Sequence, residues 1–339
     1  MLSFLLRRVG RILLILVSVE LLVFLLVHWI PGSPWDTPDN QLGARRSVAN
    51  FAVTEATMAR VNKYYGLDLP LWRQFTRYLI GDFHADGKFI CGVVCGNLGP
   101  SLKQGGRSVQ DILFSPPKGK GPWDSRIGYT VRLVTYSFAI VALLGIPLGV
   151  ASAFWARSWF DQTLSTIFTT VVSIPIFVLG LLSILIFASA LKWINVLPDW
   201  TQPKYWIIPT SLLVIIPLAN MVRLTRAAML DTMSGDYIRT ARAKGLTRSQ
   251  TIWRHVLPNA LISILTFLLP IFVELLAASF IIEAIFGFPG FGREYWDAIG
   301  DLDYARVMGI TFLYACGITF TNLFLETIYR LIDPRMRSQ

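Results

Sequence analysis

Charge is scarce in this sequence. Only 15% of its 339 residues are Asp, Glu, Lys or Arg, against roughly 25% in ordinary soluble domains. A chain so poor in charge and 54% hydrophobic is not composed for a surface bathed in water. Histidine is just as sparse: His28, His84 and His255 lie far apart and no H-E-x-x-H occurs, so no metal site is expected. The G-x-x-x-x-G-K-[ST] phosphate loop is missing too; "KGKGPWD" (118–124) has neither its spacing nor its following helix. The chain is therefore expected to hold no nucleotide or other cofactor of its own. Without a G-x-S-x-G or comparable nucleophile motif it carries no catalytic residue set, which disfavours an enzyme. It shows no internal repeat of the kind found in many secondary transporters.

Long apolar runs are what the sequence does have. "ILLILVSVELLVFLLVHWI" (12–30) reaches the roughly 20 residues that cross a bilayer. It is too long for the apolar part of a signal peptide and the "PGSPWD" after it is no cleavage site, so it is expected to stay as a first span. Further runs bring the candidates to six, at 10–30, 129–156, 162–191, 206–228, 258–285 and 306–330. The fold class is thus an all-α membrane protein with six transmembrane helices. Its segments are a first helix (1–30), a large extracytoplasmic insertion between helices 1 and 2 (31–128), a five-helix core (129–331) with a cytoplasmic loop at 229–257, and a tail (332–339).

Basic residues orient the spans. Arg7, Arg8, Arg11, Arg157, Arg223, Arg226, the basic residues of 236–260, Arg330, Arg335 and Arg337 fall on one side; the short loops opposite hold only Lys192, Lys204, Arg293 and Arg306. Both termini are therefore expected in the cytoplasm, and the net charge of +10 needs no nucleic acid to explain it. Cys316 in the last span reads as packing. Cys91 and Cys95, in the outer insertion, meet an oxidising environment that permits a disulfide.

Between the fourth and fifth spans stands "DYIRTARAKGLTRSQTIWRHVLPNA" (236–260), basic and broken by turns. A short helix is expected over 234–244, capped by Ser234 or Asp236 and ended by Gly245 in the left-handed conformation with Leu246 after it. Thr247 and Gln250 form the T-x-x-Q pattern of a capping box opening a second helix. There Ile252, Trp253, Val256 and Leu257 make one apolar stripe, and Pro258 separates that helix from the fifth span. The pair is either a charged anchor at the inner membrane face or a rigid knob for a partner; the glycine corner favours the knob.

This segment resembles the cytoplasmic loop of ABC-importer permeases, in which E-A-A is followed after three residues by Gly and after nine more by I-x-L-P. Here the pattern reads "RTA" (239–241), Gly245 and "HVLP" (255–258), so only Ala241 of the E-A-A remains and His255 replaces the Ile. "DYIRTARAKGL" is similar to the form of the dipeptide, oligopeptide and nickel branch. "LLRRVGRILLILVSVELLVFLLVHWIPGSP" (5–34), "YGLDLPLWRQFTRYLIGDF" (65–83), "GNLGPSL" (96–102), "SIPIFVLGLL" (173–182), "RLTRAAMLD" (223–231), "EAIFGFPGFG" (283–292) and "LIDPRMR" (331–337) follow in that branch's order. The outer insertion, with "FSPPKGKGPWDSR" (114–126), is larger than the branch's pattern.

The resemblance implies the type I ABC-importer permease architecture and the first, B-type permease of a peptide importer, a multi-pass protein of the prokaryotic cytoplasmic (inner) membrane. It implies a second homologous permease, two cytoplasmic ABC ATPases that bind ATP and Mg, an extracytoplasmic substrate-binding protein, and surrounding membrane lipid. Asp236, Tyr237, Arg239, Thr240, Ala241, Arg242, Lys244, Gly245, Leu246 and Pro258 would form the loop that couples to the ATPases. Oligosaccharides and nickel chelates are alternative cargoes; an ATPase-independent channel or ion-coupled carrier is the alternative of another class.

Pathway residues are harder to read. Charge inside a span costs about 2.5–3.5 kcal/mol on insertion scales, so Glu20, Glu274, Asn322 and Glu326 should face the bundle, the substrate or a permease partner. Pro147, Pro175, Pro209, Pro217 and Pro270 either kink spans into gates or are ordinary membrane prolines. "EAIFGFPGFGREYWDAI" (283–299), rich in Gly and aromatics, is placed either to re-enter the bundle or to gate the outer mouth. Trp35, Trp72, Tyr78, Asp297, Asp301 and Asp303 are candidate contacts for the binding protein.

Overall fold

The protein is described here by a computed structural model covering residues 2–30, 66–83, 87–101, 103–104, 106–195 and 198–332, without the side chains of 2–7, 9 and 329–332. Trp35, His84, Arg335, Arg337 and the tail 333–339 lie outside the described residues. The elements are α1 (Leu2–Trp29), α2 (Leu71–Leu79), β1 (Gly81–Phe83), β2 (Phe89–Cys91), α3 (Val109–Phe114), α4 (Arg126–Phe154), α5 (Trp159–Val172), α6 (Ile176–Ser183), α7 (Ile207–Met233), α8 (Asp236–Ala243), α9 (Arg248–Thr251), α10 (Leu257–Phe286), α11 (Phe291–Gly300) and α12 (Tyr304–Ile332). The chain is predominantly helical; the β1–β2 hairpin is an addition to the all-α expectation. It divides into two compact units, one of residues 1–117 with 294–317 and one of 118–293 with 318–339.

In the first unit α1 buries a narrow stripe, Leu16, Glu20, Phe24 and Val27, while Leu13, Leu14, Leu21, Leu22, Leu25 and Leu26 stay exposed. A helix that is apolar all round and buried on one side only is suited to lipid on the other. The antiparallel hairpin pairs Gly81 with Cys91, Asp82 with Ile90 and Phe83 with Phe89. The Phe83 backbone N–H, with Arg73 beside it, holds the Asp82 carboxyl below its ordinary pKa and fastens α2 to the hairpin. Cys91 and Cys95 are joined by a disulfide. Arg306, almost wholly buried, donates to Asp303 at 2.8 Å, to Glu294 at 2.8 Å and to Asp301. The Ser101 hydroxyl donates to the same Asp303 at 2.5 Å, and Gln104 to Glu294 at 3.0 Å. A charge this deep is tolerable because each of the three guanidinium nitrogens donates to a carboxylate.

That network corrects one expectation: Asp303 is fully buried, so it is not a contact offered to another protein. Of the aromatic contacts expected on α2, Trp72 is 69% exposed, whereas the Tyr78 hydroxyl is buried. Three residues along a helix from Phe75, Tyr78 shares its inward face.

The second unit is built on α4, α7 and α10. Gly145 and Gly149 lie one turn apart on α4, so that α7 packs directly on its backbone. A Cβ at Gly145 would stand 2.8 Å from Met221 Cγ, and one at Gly149 would stand 2.4 Å from Thr225 Cβ. Small residues at this spacing permit the close approach that drives helix association in lipid. Leu133, Val141, Leu213, Met221, Ile264, Leu275 and Ile282 fill the core between the three helices.

Among the described residues five helices are long and apolar enough to cross a membrane. The third expected span is not one straight helix: α5 and the α6 stretch, continued as a π-helix over Ile184–Ala190, meet at 91° across Ser173–Pro175. Pro175 has no N–H to continue the α5 ladder and restricts Ile174 to extended geometry. The Ser173 hydroxyl donates to the Thr169 carbonyl at 2.9 Å, covering one acceptor at the break. Pro147, Pro217 and Pro270, by contrast, sit inside continuous helices.

Replacing Gly149 by Leu forces α4 away from Thr225. Overpacking of this kind costs about 1–3 kcal/mol, and a thermal denaturation scan of the purified protein should show a lower midpoint; an unchanged midpoint contradicts the contact.

Candidate functional site

The segment between α7 and α10 forms a bent pair of helices rooted in the core of its unit. In α8, Ile238 and Ala241 are buried; in the second arm Thr251, Ile252 and Val256 are buried. The opposite face presents Asp236, Tyr237, Arg239, Thr240, Arg242 and Lys244 to solvent. Neither Ser234 nor Asp236 caps the first helix: the cap is Gly235, with no side-chain bond. Asp236 is instead the first helical residue, where its charge suits the positive end of the helix, and it pairs with Arg239 at 3.6 Å.

The corner takes the expected form. Gly245 has φ +84°, and its N–H donates to Arg242 O at 2.9 Å while that of Leu246 donates to Ala241 O at 3.4 Å. These are the two bonds of a Schellman motif. A Cβ at Gly245 would meet nothing within 4 Å, so backbone conformation alone makes this position a glycine. The capping box is complete: Thr247 N–H donates to Gln250 Oε1 at 3.0 Å, and Gln250 N–H to Thr247 Oγ1 at 3.3 Å.

Two features of the second arm differ from expectation. Trp253 does not join the apolar stripe; it is 60% exposed, and Thr251 takes the inward place beside Ile252. Pro258 does not separate the arm from the next span. The helix runs on from Arg248 to Phe286 through a π turn at Ile252–Val256, in which Leu257 N–H donates to Ile252 O. Widening by one residue makes room for the Pro258 ring, which would otherwise strike a carbonyl one turn back. Arg248 is engaged within the chain: its guanidinium lies over the Phe154 ring at 4.9 Å and donates to the Phe154 carbonyl.

The polar residues expected inside spans are divided between the two units. Glu20, in the first unit, is fully buried, and neither carboxylate oxygen has a hydrogen-bond partner among the described residues. Glu274 and Asn322, in the second unit, are exposed, and Glu326 is half-buried.

Sequence reading missed two carboxylates. Asp161 is buried at the start of α5, where it accepts from Arg226 at 2.7 and 2.8 Å, from the Ser152 hydroxyl at 2.5 Å and from the Arg157 N–H at 2.8 Å. Its signal was available: Ser158 and Asp161 have the S-x-x-D spacing of a capping box. Arg226 is thereby more than a membrane anchor. Glu283 is the second, bonded across nine residues to the Gly292 N–H at 2.6 Å; no local rule marks it.

A helical membrane protein that presents a rooted helix pair is the class this geometry defines. The chain belongs to the binding-protein-dependent transport system inner membrane component family, whose pattern matches residues 145–338; the corresponding N-terminal family matches residues 1–116. It is a multi-pass inner membrane protein. Among its relatives is the dipeptide transport system permease protein DppB of Bacillus subtilis (strain 168), 31% identical over 99% of this chain and 98% of that protein. The DppB of Escherichia coli (strain K12) is 32% identical over 99% of both chains. The glutathione transport system permease protein GsiC of Escherichia coli O6:H1 is 31% identical, again over 99% of both. A chain of the MetNI methionine ABC transporter, solved in inward-facing conformations, has a TM-score of 0.50 at 20% identity, over 60% of this chain and 93% of that one. At that identity the likeness is one of fold.

Thr247→Ala removes the cap of the second arm. A lost N-cap costs about 1 kcal/mol, so amide exchange at 248–251 should quicken by about five-fold in hydrogen–deuterium exchange; unchanged protection contradicts the role of the box.

Proposed function

We propose that this chain is the permease subunit of an ATP-driven importer of short peptides and that the 236–258 helix pair is the element through which ATPase subunits drive it. The observation that carries the reading is similarity along 99% of the chain to permeases named for dipeptides and glutathione. Glutathione is itself a tripeptide, so both cargoes are short, carboxylate-bearing peptides. In this reading the chain crosses the membrane six times, with the bent α5–α6 pair as the third span, both termini inside and the long insertion outside.

The chain pairs with a second permease, receives cargo from an extracytoplasmic binding protein and docks two ATPases that carry ATP and Mg. Glu274, exposed on a span, faces the partner permease or the pathway in this assembly, because lipid would exact the cost of a charge in hydrocarbon. The helix pair suits force transmission physically. Its buried face is continuous with the core, its Gly245 corner is hydrogen-bonded on both sides, and its second arm is one helix with α10. ATPase closure would bear on Tyr237, Arg239, Arg242 and Lys244 and move α10 with them, a rigid element with two positions.

Gly245→Val places a β-branched residue where an ordinary L-residue already costs about 1–2 kcal/mol. ATP-dependent uptake of a labelled dipeptide by the reconstituted importer should fall by about ten-fold or more, with membrane insertion intact, while Gly245→Asn keeps most of the uptake. Uptake at the wild-type rate in the valine variant rules the coupling role out.

A further inference from the structure

The turn between α10 and α11 is more deeply set than a connection needs to be. Phe288 is fully buried and 6% of Phe291 is exposed. The Phe288 ring sits in a box of three aromatic side chains: Tyr129 at 5.7 Å, Trp200 at 4.7 Å and Trp206 at 4.8 Å between ring centroids. Two of these contacts are edge-on, at 86° and 85°, the favoured arrangement of aromatic quadrupoles. Arg132 closes the rim of the box: its guanidinium lies 4.6 Å from the Tyr129 ring and 5.1 Å from that of Trp206, and it donates to the Trp123 carbonyl at 2.6 Å.

Below the box a second set of contacts holds the backbone of the same turn. Phe291 N–H donates to Thr130 Oγ1 at 2.9 Å and Gly292 N–H to Glu283 Oε2 at 2.6 Å. Thr130 and Glu283 are both buried. The fit leaves no room at Gly290, where a Cβ would stand 2.4 Å from Glu283 Oε2 and 2.6 Å from Thr130 Oγ1. Phe288 stands between Gly287, at φ +61°, and Pro289, a permissive joint beside a stiff one.

We propose that Phe288 is the plug and Glu283, with Thr130, the latch of an outer gate in this permease. That this end of α10 faces outward rests on the importer reading above. Two features make the turn a gate rather than a fixed brace. Its attachments to neighbouring helices are aromatic edges and hydrogen bonds to side chains, while the bonds that Gly287 and Phe288 N–H donate to the Ala284 and Glu283 carbonyls, at 3.4 and 2.9 Å, cap α10 and move with it. The other oxygen of Glu283, Oε1, is buried with no hydrogen-bond partner among the described residues, and an unmet buried acceptor raises the energy of the closed arrangement. The closed state is thus held with little margin, the condition for a two-position element that a distant displacement can switch.

The test uses the complete importer in proteoliposomes, with and without binding protein, and reads ATP hydrolysis. With the wild-type chain, binding protein should stimulate hydrolysis. With Glu283→Ala or Phe288→Ala, hydrolysis in the absence of binding protein should rise by about five-fold, the population shift expected for loss of one ordinary hydrogen bond from the latch or of one aromatic contact from the plug. Glu283→Gln, which keeps an acceptor for Gly292, should hold that rise under about two-fold. Structural damage alone would lower both rates. An assembled complex carrying Phe288→Ala that hydrolyses ATP at the wild-type resting rate overturns the gate, as does the same result with Glu283→Ala. Should Glu283→Ala fail to assemble, Phe288→Ala, which leaves the latch intact, decides alone. If the wild-type complex shows no stimulation by binding protein, the importer reading has failed, which separates that failure from failure of the latch.

Discussion

A backbone that changes direction in apolar surroundings leaves N–H and C=O groups with no solvent to bond. The breaks of this chain are closed from within, and at three of them a buried carboxylate does it. Asp161 ties the Arg157 N–H, the Ser152 hydroxyl and Arg226 together where α4 gives way to α5. Glu283 takes the Gly292 N–H where α10 gives way to α11. Asp303, paired with Arg306, accepts from Ser101 where α11 gives way to α12. Asp161 and Asp303 are matched by a guanidinium; among the described residues Glu283 is met by backbone and hydroxyl groups, and its Oε1 has no hydrogen-bond partner. That difference sets the turn after α10 apart from its two counterparts.

The rooted helix pair and the aromatic box are joined by one piece of secondary structure. The helix that begins at Arg248 in the second arm ends at Phe286, one residue before the turn that carries Phe288. At 1.5 Å per residue its 39 residues span about 58 Å. Its π turn at Ile252–Val256 and its Pro270 are local adjustments in a continuous rod. Close packing of α4 on α7 through Gly145 and Gly149 gives that rod a firm bed, since neither glycine leaves space for relaxation. A displacement at the end that carries the helix pair therefore reaches the far end without a chain of separate contacts.

What could be read directly from the residues was local. Gly245, Leu246, Thr247 and Gln250 obey rules that act over a few positions, and the structure follows them. Ser234 and Asp236 show where such rules stop: two good capping residues stand near a helix start that settles on Gly235 between them. Trp253 fitted one edge of an arc drawn on an ideal helical wheel, but the buried arc is centred on Thr251, Ile252 and Val256 and leaves it outside. The bend at Ser173–Pro175 was legible only as one of five candidate kinks, because hydropathy reports apolar length and not direction. Glu283 was the least legible, because its meaning depends on the chain folding back to bring Thr130 and Gly292 beside it.

The empty space around Gly245 has a consequence of its own. A position crowded by neighbours selects for size, but this one, with nothing within 4 Å, selects for mirror-image backbone geometry. The bend is thus specified by stereochemistry, independently of the side chains displayed around it. The surface at Tyr237, Arg239, Arg242 and Lys244 is free to diverge while the angle between the two arms stays the same.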